Sequence, residues 1–239
     1  MISLYFWCGL FLFSAILFPI SLLIWVLTVL FDKRLYLMHQ FACLWSTIVL
    51  NLNPIWRIKV TGKDKIKKEV TYMMVSNHQS GMDVIVLFKL WAHFKWVAKK
   101  SLFSYPFIGW NMWLTRYISL DRKKKGNTRK MMDDVIRNLK SGNSVMVFPE
   151  GTRSKDGKLQ PFRAGAFHLA LLAQTPILPI VISGTSEAIR KGGFMVSKNF
   201  KMRAMVLDPI PYDSFKYLST RELTLRVHNL ISEELNKKG

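Results

Sequence analysis

Val75-Ser-Asn-His-Gln-Ser-Gly-Met-Asp83 closes an apolar run and sets a histidine and an aspartate five residues apart, with a glycine between them. On a continuous α-helix that interval turns two side chains roughly 140° apart, and on a straight strand it sends them to opposite faces. His78 and Asp83 therefore meet only if the chain bends between them. Gln79-Ser80-Gly81 supplies the bend, because glycine accepts backbone angles that other residues avoid. The stretch reads as strand, turn and helix in succession, with the two polar side chains at the strand's carboxyl end.

The same alternation extends outward in both directions. Arg57 to Val60 alternates as a strand does, Lys63 to Lys68 is a charged turn, and Val70 to Val75 is a buried strand. A helix from Met82 to Leu90 follows, then strands at Phe94 to Ala98 and Tyr117 to Leu120. Thr128 to Leu139 has helical spacing, with Met131, Met132, Val135, Ile136 and Leu139 on one side. Ser144 to Phe148 is a strand beyond the Ser141-Gly142-Asn143 turn, and Ala164 to Ala173 is helical. Ile177 to Ile182 and Met202 to Leu207 are strands, and Thr220 to Lys238 is a basic amphipathic helix. Strand and helix in alternation predict an α/β domain over residues 57–239, with a mainly parallel sheet flanked by helices. There is no internal repeat and no low-complexity linker.

Residues 1–31 contain no Asp, Glu, Lys, Arg or His, so the formal net charge of +20 belongs entirely to the rest of the chain. Such an excess points to a polyanionic partner, whether nucleic acid, an anionic membrane or a phosphorylated substrate. The uncharged run from Leu4 to Phe31 is 28 residues long, whereas about 20 suffice for a membrane helix. A cleaved signal peptide needs a basic start, a shorter apolar core and a small-residue cleavage site, none of which is present. Pro19 can kink this helix, and Asp32-Lys33-Arg34 stops it. A second apolar stretch, Leu35 to Trp56, either closes a membrane hairpin or lies in the interface. Residues 1–56 are thus expected to anchor the chain to a membrane. The Lys and Arg that follow are expected to keep the polar domain on the cytoplasmic side. Cys8 and Cys43, the only cysteines, both fall in these apolar stretches and make neither a disulfide framework nor a metal knuckle.

In an open α/β sheet, ligands bind beyond the carboxyl ends of the strands. Asp83, in the first turn of the helix, can fold back onto one imidazole nitrogen of His78 and leave the other for a substrate, the base-plus-orienter half of a triad. Taken alone, the pair reads more readily as a helix cap beside a satisfied loop histidine. A second stretch changes the balance. Phe148-Pro-Glu-Gly-Thr-Arg-Ser154 also follows a strand, and packs Glu150, Thr152 and Arg153 around Gly151. Arginine suits bidentate recognition of phosphate. Arg122 and the doublet Lys99-Lys100 also follow strands, bringing further cations to the same edge.

Asn77-His-Gln-Ser-Gly-Met-Asp83 and Phe148 to Ser154 resemble the first and third signature blocks of the glycerolipid acyltransferases, above all the 1-acylglycerol-3-phosphate acyltransferases. Tyr117 to Arg122 is similar to the second block and Ile177 to Ile182 to the fourth, in the family's order, over roughly Ile58 to Leu207. The resemblance implies transfer of a fatty acyl group from acyl-CoA or acyl carrier protein to the sn-2 hydroxyl of lysophosphatidic acid, giving phosphatidic acid. It implies His78 as general base, Asp83 as its orienting partner, and Glu150, Gly151, Thr152, Arg153 and Arg122 at the acceptor's glycerol phosphate. Lys99 is a further phosphate contact by similarity, with Lys100 as the alternative in the doublet. No metal or cofactor beyond the thioester co-substrate is implied. The residues agree with that chemistry, since a base must take the hydroxyl proton and cations must hold the phosphate. No Gly-x-Ser-x-Gly elbow offers a serine nucleophile. Two alternatives stand beside this reading: a family member acting on glycerol-3-phosphate or another lysophospholipid, and a membrane-tethered basic protein without catalysis. Against nucleic acid as partner, the cations follow strands near His78 rather than forming a stripe interleaved with aromatics.

Overall fold

The computed structural model describes residues 2–53, 55–121, 126–154, 157–189, 194–197 and 201–237. Arg122 and Lys123 to Lys125 of the basic cluster, and Lys238 of the expected last helix, lie outside them. Two helices lead: α1 (Ile2–Thr28) and α2 (Tyr36–Asn51), the latter followed by β1 (Arg57–Thr61), β2 (Met73–Ser76) and α3 (Met82–Phe88). Then come β3 (Phe94–Lys99), a short helical turn at Lys100–Ser104, α4 (Ile108–Leu114), β4 (Ile118–Leu120), α5 (Asn127–Lys140) and β5 (Ser144–Val147). The chain closes with α6 (Gly165–Leu172), β6 (Ile177–Ser183), α7 (Thr185–Ala188), β7 (Lys201–Val206) and α8 (Thr220–Asn236).

The sheet has seven strands in the order β1-β7-β6-β2-β5-β3-β4. Neighbours from β6 through β4 pair in parallel, while β7 runs antiparallel to β6, with Ile182 opposite Ala204, and carries β1 parallel to itself. The fold is thus the expected α/β architecture with a mainly parallel sheet. Central strands buried on both faces read as continuous apolar runs, and β2 and β6 do so. Successive side chains divide between two cores. Met73 and Val75 pack with Val145, Ile177, Phe167 and Val227 under α6 and α8. Tyr72 and Met74 pack on the other face with Leu87, Phe94, Leu178 and Cys43.

The strongest sequence patterns became elements at nearly their expected limits. Val70 is exposed outside β2, and the charged turn shortens to a helical turn at Lys63–Lys65. Two helices carried no signal in the sequence. α4 is seven residues long and α7 four, too short for a 3.6-residue period to stand out.

α1 and α2 form a hairpin. Phe6 meets Trp56 with ring centroids 5.2 Å apart, and Trp45 Nε1 donates to Ser14 Oγ at 3.0 Å. α2 turns its other side to the domain. Ser46 Oγ donates to Ile85 O of α3 at 2.6 Å, and His39 packs against Phe94 with centroids 4.5 Å apart. Met38, Cys43, Val49 and Leu50 are all buried there. Whatever it does for a membrane, α2 is also a wall of the core.

Burying a large apolar side chain contributes roughly 1.5–3 kcal/mol, so the two leader helices differ in what their removal costs. A chain lacking residues 1–31 is expected to keep a cooperative thermal transition in far-UV circular dichroism. A chain lacking residues 1–56, with Phe94 and Tyr72 stripped of their cover, is expected to lose it. A sharp melt from the shorter chain would remove α2 from the core.

Candidate active site

The site begins with a side chain acting as backbone. Just past β2, Asn77 Nδ2 donates to Ile182 O, and Ile182 N–H donates to Asn77 Oδ1, both at 2.8 Å. This amide prolongs the β2–β6 ladder by one rung and pins the residue before His78. The chain then turns through Gln79-Ser80-Gly81 into α3, so the interval that neither helix nor strand could close is closed by the bend.

His78 Nδ1 lies 2.7 Å from Asp83 Oδ2. The same oxygen accepts the backbone N–H groups of Gln79 at 2.6 Å and Ser80 at 2.9 Å. Its partner Oδ1 accepts the hydroxyl of Thr185, from α7. Asp83 is fully buried, and a buried carboxylate needs its lone pairs met by donors. Four donors crowd this one and make it a pure acceptor, so Nδ1 is the nitrogen of His78 that carries the proton. Nε2 is left with a lone pair on a ring that is 15 % exposed. The imidazole stacks on Phe148, with centroids 3.9 Å apart and planes 10° apart, which fixes its tilt as Asp83 fixes its rotation.

The segment after β5 comes to the same place because β5 neighbours β2. His78 N–H donates to Glu150 Oε1 at 2.6 Å, Gln160 N–H donates to Oε2 at 3.1 Å, and Ser154 N–H donates to His78 O at 2.9 Å. Glu150 is buried and clamps the histidine loop to the return of its own loop. Burial pushes its carboxyl up to about 7, against the pull of those two N–H bonds. A carboxyl with a raised folded pKa stabilises the fold below its unfolded value, and that contribution is lost as pH rises through about 7. Gly151 turns the loop at φ 72, in the left-handed region that favours glycine. Thr152 is exposed. A methyl placed on Gly81 would meet Arg153 Nη1 at 3.9 Å, so the guanidinium lies over the His78–Asp83 turn.

Lys99, the last residue of β3, is exposed and lies two strands from β2, about 10 Å across the sheet. Lys100 is turned toward Asp121, with Nζ 3.4 Å from Oδ2. Arg122 lies outside the described residues. Among the described residues, no three His, Cys, Asp or Glu side chains gather in a group that could hold a metal ion. Thr185, Asn77 and Phe148 are the functional neighbours that the sequence reading missed. Only Asn77 and Phe148 lay inside the quoted motifs, whereas Thr185 is 102 residues from the carboxylate it meets.

Comparison with known proteins gives the chain its relatives. An Acyltransferase family model matches residues 57–183. A chloroplastic 1-acyl-sn-glycerol-3-phosphate acyltransferase of Brassica napus is 33 % identical over 209 residues, covering 87 % of this chain and 59 % of that protein. The enzyme of that name in Haemophilus influenzae is 31 % identical over 188 residues, covering 77 % of each. The matches span between about half and just under two thirds of the length of several relatives, among them those of Brassica napus, Arabidopsis thaliana and Limnanthes douglasii. The crystal structure of the 1-acyl-sn-glycerophosphate acyltransferase PlsC of Thermotoga maritima superposes with a TM-score of 0.85 at 25 % identity, covering 99 % of this chain and 94 % of that one. With the matched segment running from β1 to the end of β6 and enclosing the whole His78–Asp83–Glu150 assembly, the chain belongs to the acyltransferase family.

Proposed function

We propose that the protein is a 1-acylglycerol-3-phosphate acyltransferase working at a membrane surface, with a thioester of CoA or of acyl carrier protein as donor. The observation that carries the reading is the 2.7 Å His78–Asp83 pair, whose imidazole keeps Nε2 for a substrate beside the guanidinium of Arg153. The sn-2 hydroxyl of the acceptor gives its proton to His78 Nε2 while its oxygen attacks the thioester carbonyl carbon. Asp83 steadies the imidazolium that forms. Collapse of the tetrahedral intermediate breaks the carbon–sulfur bond, and the departing sulfur takes the proton back from Nε2. One ester forms, one thioester breaks, and His78 ends as it began. Arg153 holds the acceptor's phosphate, with Lys99 and Arg122 as further cations, and Gly151 and Thr152 shape the loop at the glycerol.

The leader supports a membrane seat. α1 is long and apolar enough to cross a bilayer, and little of it is buried. The helix and the turn after it are also tied to the domain at several points. Val196 N–H donates to Ser3 Oγ at 2.9 Å near one end, Phe11 and Phe18 touch Phe107 midway, and Arg34 Nε donates to Asn143 Oδ1 at 3.2 Å just past the other end. A spanning α1 would pull the charged domain into hydrocarbon. We therefore place α1 in the plane of one leaflet, with the basic domain on the cytoplasmic face and lysophosphatidic acid drawn from the lipid it rests on.

His78→Ala is expected to lower turnover by ~10²–10⁴-fold, the usual worth of general-base catalysis. A variant that keeps near-normal acyl transfer would end the assignment. Arg153→Ala is expected to weaken the acceptor by roughly ten- to over a hundredfold, from a charge-assisted bond of about 1.5–3 kcal/mol, and to leave the donor's KM alone. Equal losses for both substrates would make Arg153 structural, and a panel of acceptors run with the parent enzyme tests the lysophospholipid class. Thr185→Val removes one donor to Asp83 at constant volume. It is expected to cost about tenfold or more in kcat with little change in either KM, while Thr185→Ser restores most of the rate. Parent-like kcat in the valine variant would leave Thr185 as packing only.

A further inference from the structure

α4 presents two indoles to the outside, three residues apart on one side of a seven-residue helix. Trp110 is 45 % exposed and Trp113 57 %, with Tyr105 and Leu102 exposed beside them. Each indole packs inward along one edge, Trp113 on Phe103 and Trp110 on Phe107, and leaves about half of its surface outside. The inner side of the helix is already held by Gly109, whose missing side chain admits the Phe103 carbonyl: a Cβ there would come within 2.4 Å of that oxygen. Contiguous exposed aromatic surface of this kind marks a contact with something apolar.

The neighbour identifies the partner. Phe107 packs against Phe11 and Phe18 of α1 with centroids 5.4 and 5.9 Å apart, and Trp110 meets Phe18 at 5.4 Å. The exposed indoles therefore continue the apolar outer side of α1, and whatever covers α1 covers them. Cations flank α4 in the chain: Lys99, Lys100 and Arg116 are all exposed, with Lys100 paired to Asp121. An indole beside apolar surface with cations at the margin matches the headgroup region of a bilayer, where tryptophan concentrates and Lys or Arg meet anionic lipid.

We propose that α4 is a second membrane contact, seating Trp110 and Trp113 at headgroup depth in the leaflet that holds α1, with anionic phospholipid at the Lys99, Lys100 and Arg116 margin. The proposal rests on α1 lying in the plane of the leaflet. In that posture α4 shares the depth of α1, because its contacts fall on the middle of that helix. Since α4 follows β3 and carries Lys99 at its approach, its insertion turns the carboxyl ends of the strands toward the lipid from which an acceptor would come.

The test compares the full-length chain with Trp110→Phe/Trp113→Phe on vesicles of phosphatidylcholine and phosphatidylglycerol. The difference between their emission spectra isolates the two indoles. It is expected to be blue-shifted, and quenched mostly by lipids brominated near the headgroup end of the chain. Quenching mostly by bromines at the chain terminus would put α4 at mid-bilayer and overturn both this contact and the in-plane α1. With the protein still sedimenting with vesicles at high salt, quenching by neither lipid would overturn the α4 contact alone. Release of the full-length chain by high salt would overturn the membrane seat itself. In assays, Trp110→Ser/Trp113→Ser is expected to lose turnover several-fold on vesicle-embedded acceptor and to match the parent on detergent-dispersed acceptor. An equal loss in both, from a variant whose melt matches the parent's, would overturn the contact's role in reaching embedded acceptor. A parent that dimerises in detergent while the serine variant stays monomeric would assign the face to a second copy instead.

Discussion

A fully buried carboxylate organises this site. Asp83 has no water to meet its charge, and an unmet charge of that kind costs several kcal/mol or shifts its proton equilibrium. Its oxygens are satisfied by His78, by two backbone N–H groups of the turn and by the Thr185 hydroxyl. Each donor belongs to a segment that must hold its conformation for the bond to exist. The turn after β2, the first turn of α3 and the start of α7 are thereby tied to one point. The orientation of His78 is a by-product of meeting that charge.

A second buried carboxylate does related work from the other strand. Glu150 takes an N–H from the histidine segment and another from its own returning loop. Where Asp83 holds the imidazole by its ring nitrogen, Glu150 holds the backbone that carries it. The two acids divide the task of locating one side chain, and the stack on Phe148 removes the remaining freedom of the ring. Because β2 and β5 are adjacent in the sheet, both acids can reach residues of the same loop. Their placement thus follows from strand order.

Strand order also explains how the proposed membrane seat and the proposed catalytic edge coexist. One face of the sheet is closed by α6 and α8, the other by α2 and α3. α1 covers little of the core and keeps most of its apolar surface outward. α4, which follows β3 and touches the middle of α1, joins that outer surface to the strand ends. The hairpin is accordingly part of the domain's packing as well as its proposed approach to lipid, since His39, Cys43 and Ser46 of α2 are buried against it.

The alternation of apolar runs with helical patterns determined the α/β class and most strands, because a strand buried on both faces must be apolar throughout. The spacing of His78, Gly81 and Asp83 determined that the chain bends there, because no regular element joins those side chains. The uncharged leader determined a helix suited to a bilayer. Other features lay beyond any local pattern. The antiparallel entry of β7 beside β6 was one, since strand direction is set by where a connection can pass. The half-buried Asp121 beside Lys100, 3.4 Å from its Nζ, was another. Glu150's two backbone partners and the Thr185 hydroxyl depend on segments far apart in the chain. A hydrogen bond is decided by distances of a few tenths of an ångström, and a one-dimensional sequence carries no distance between residues 102 positions apart. Only the packed sheet brought them to the same carboxylate.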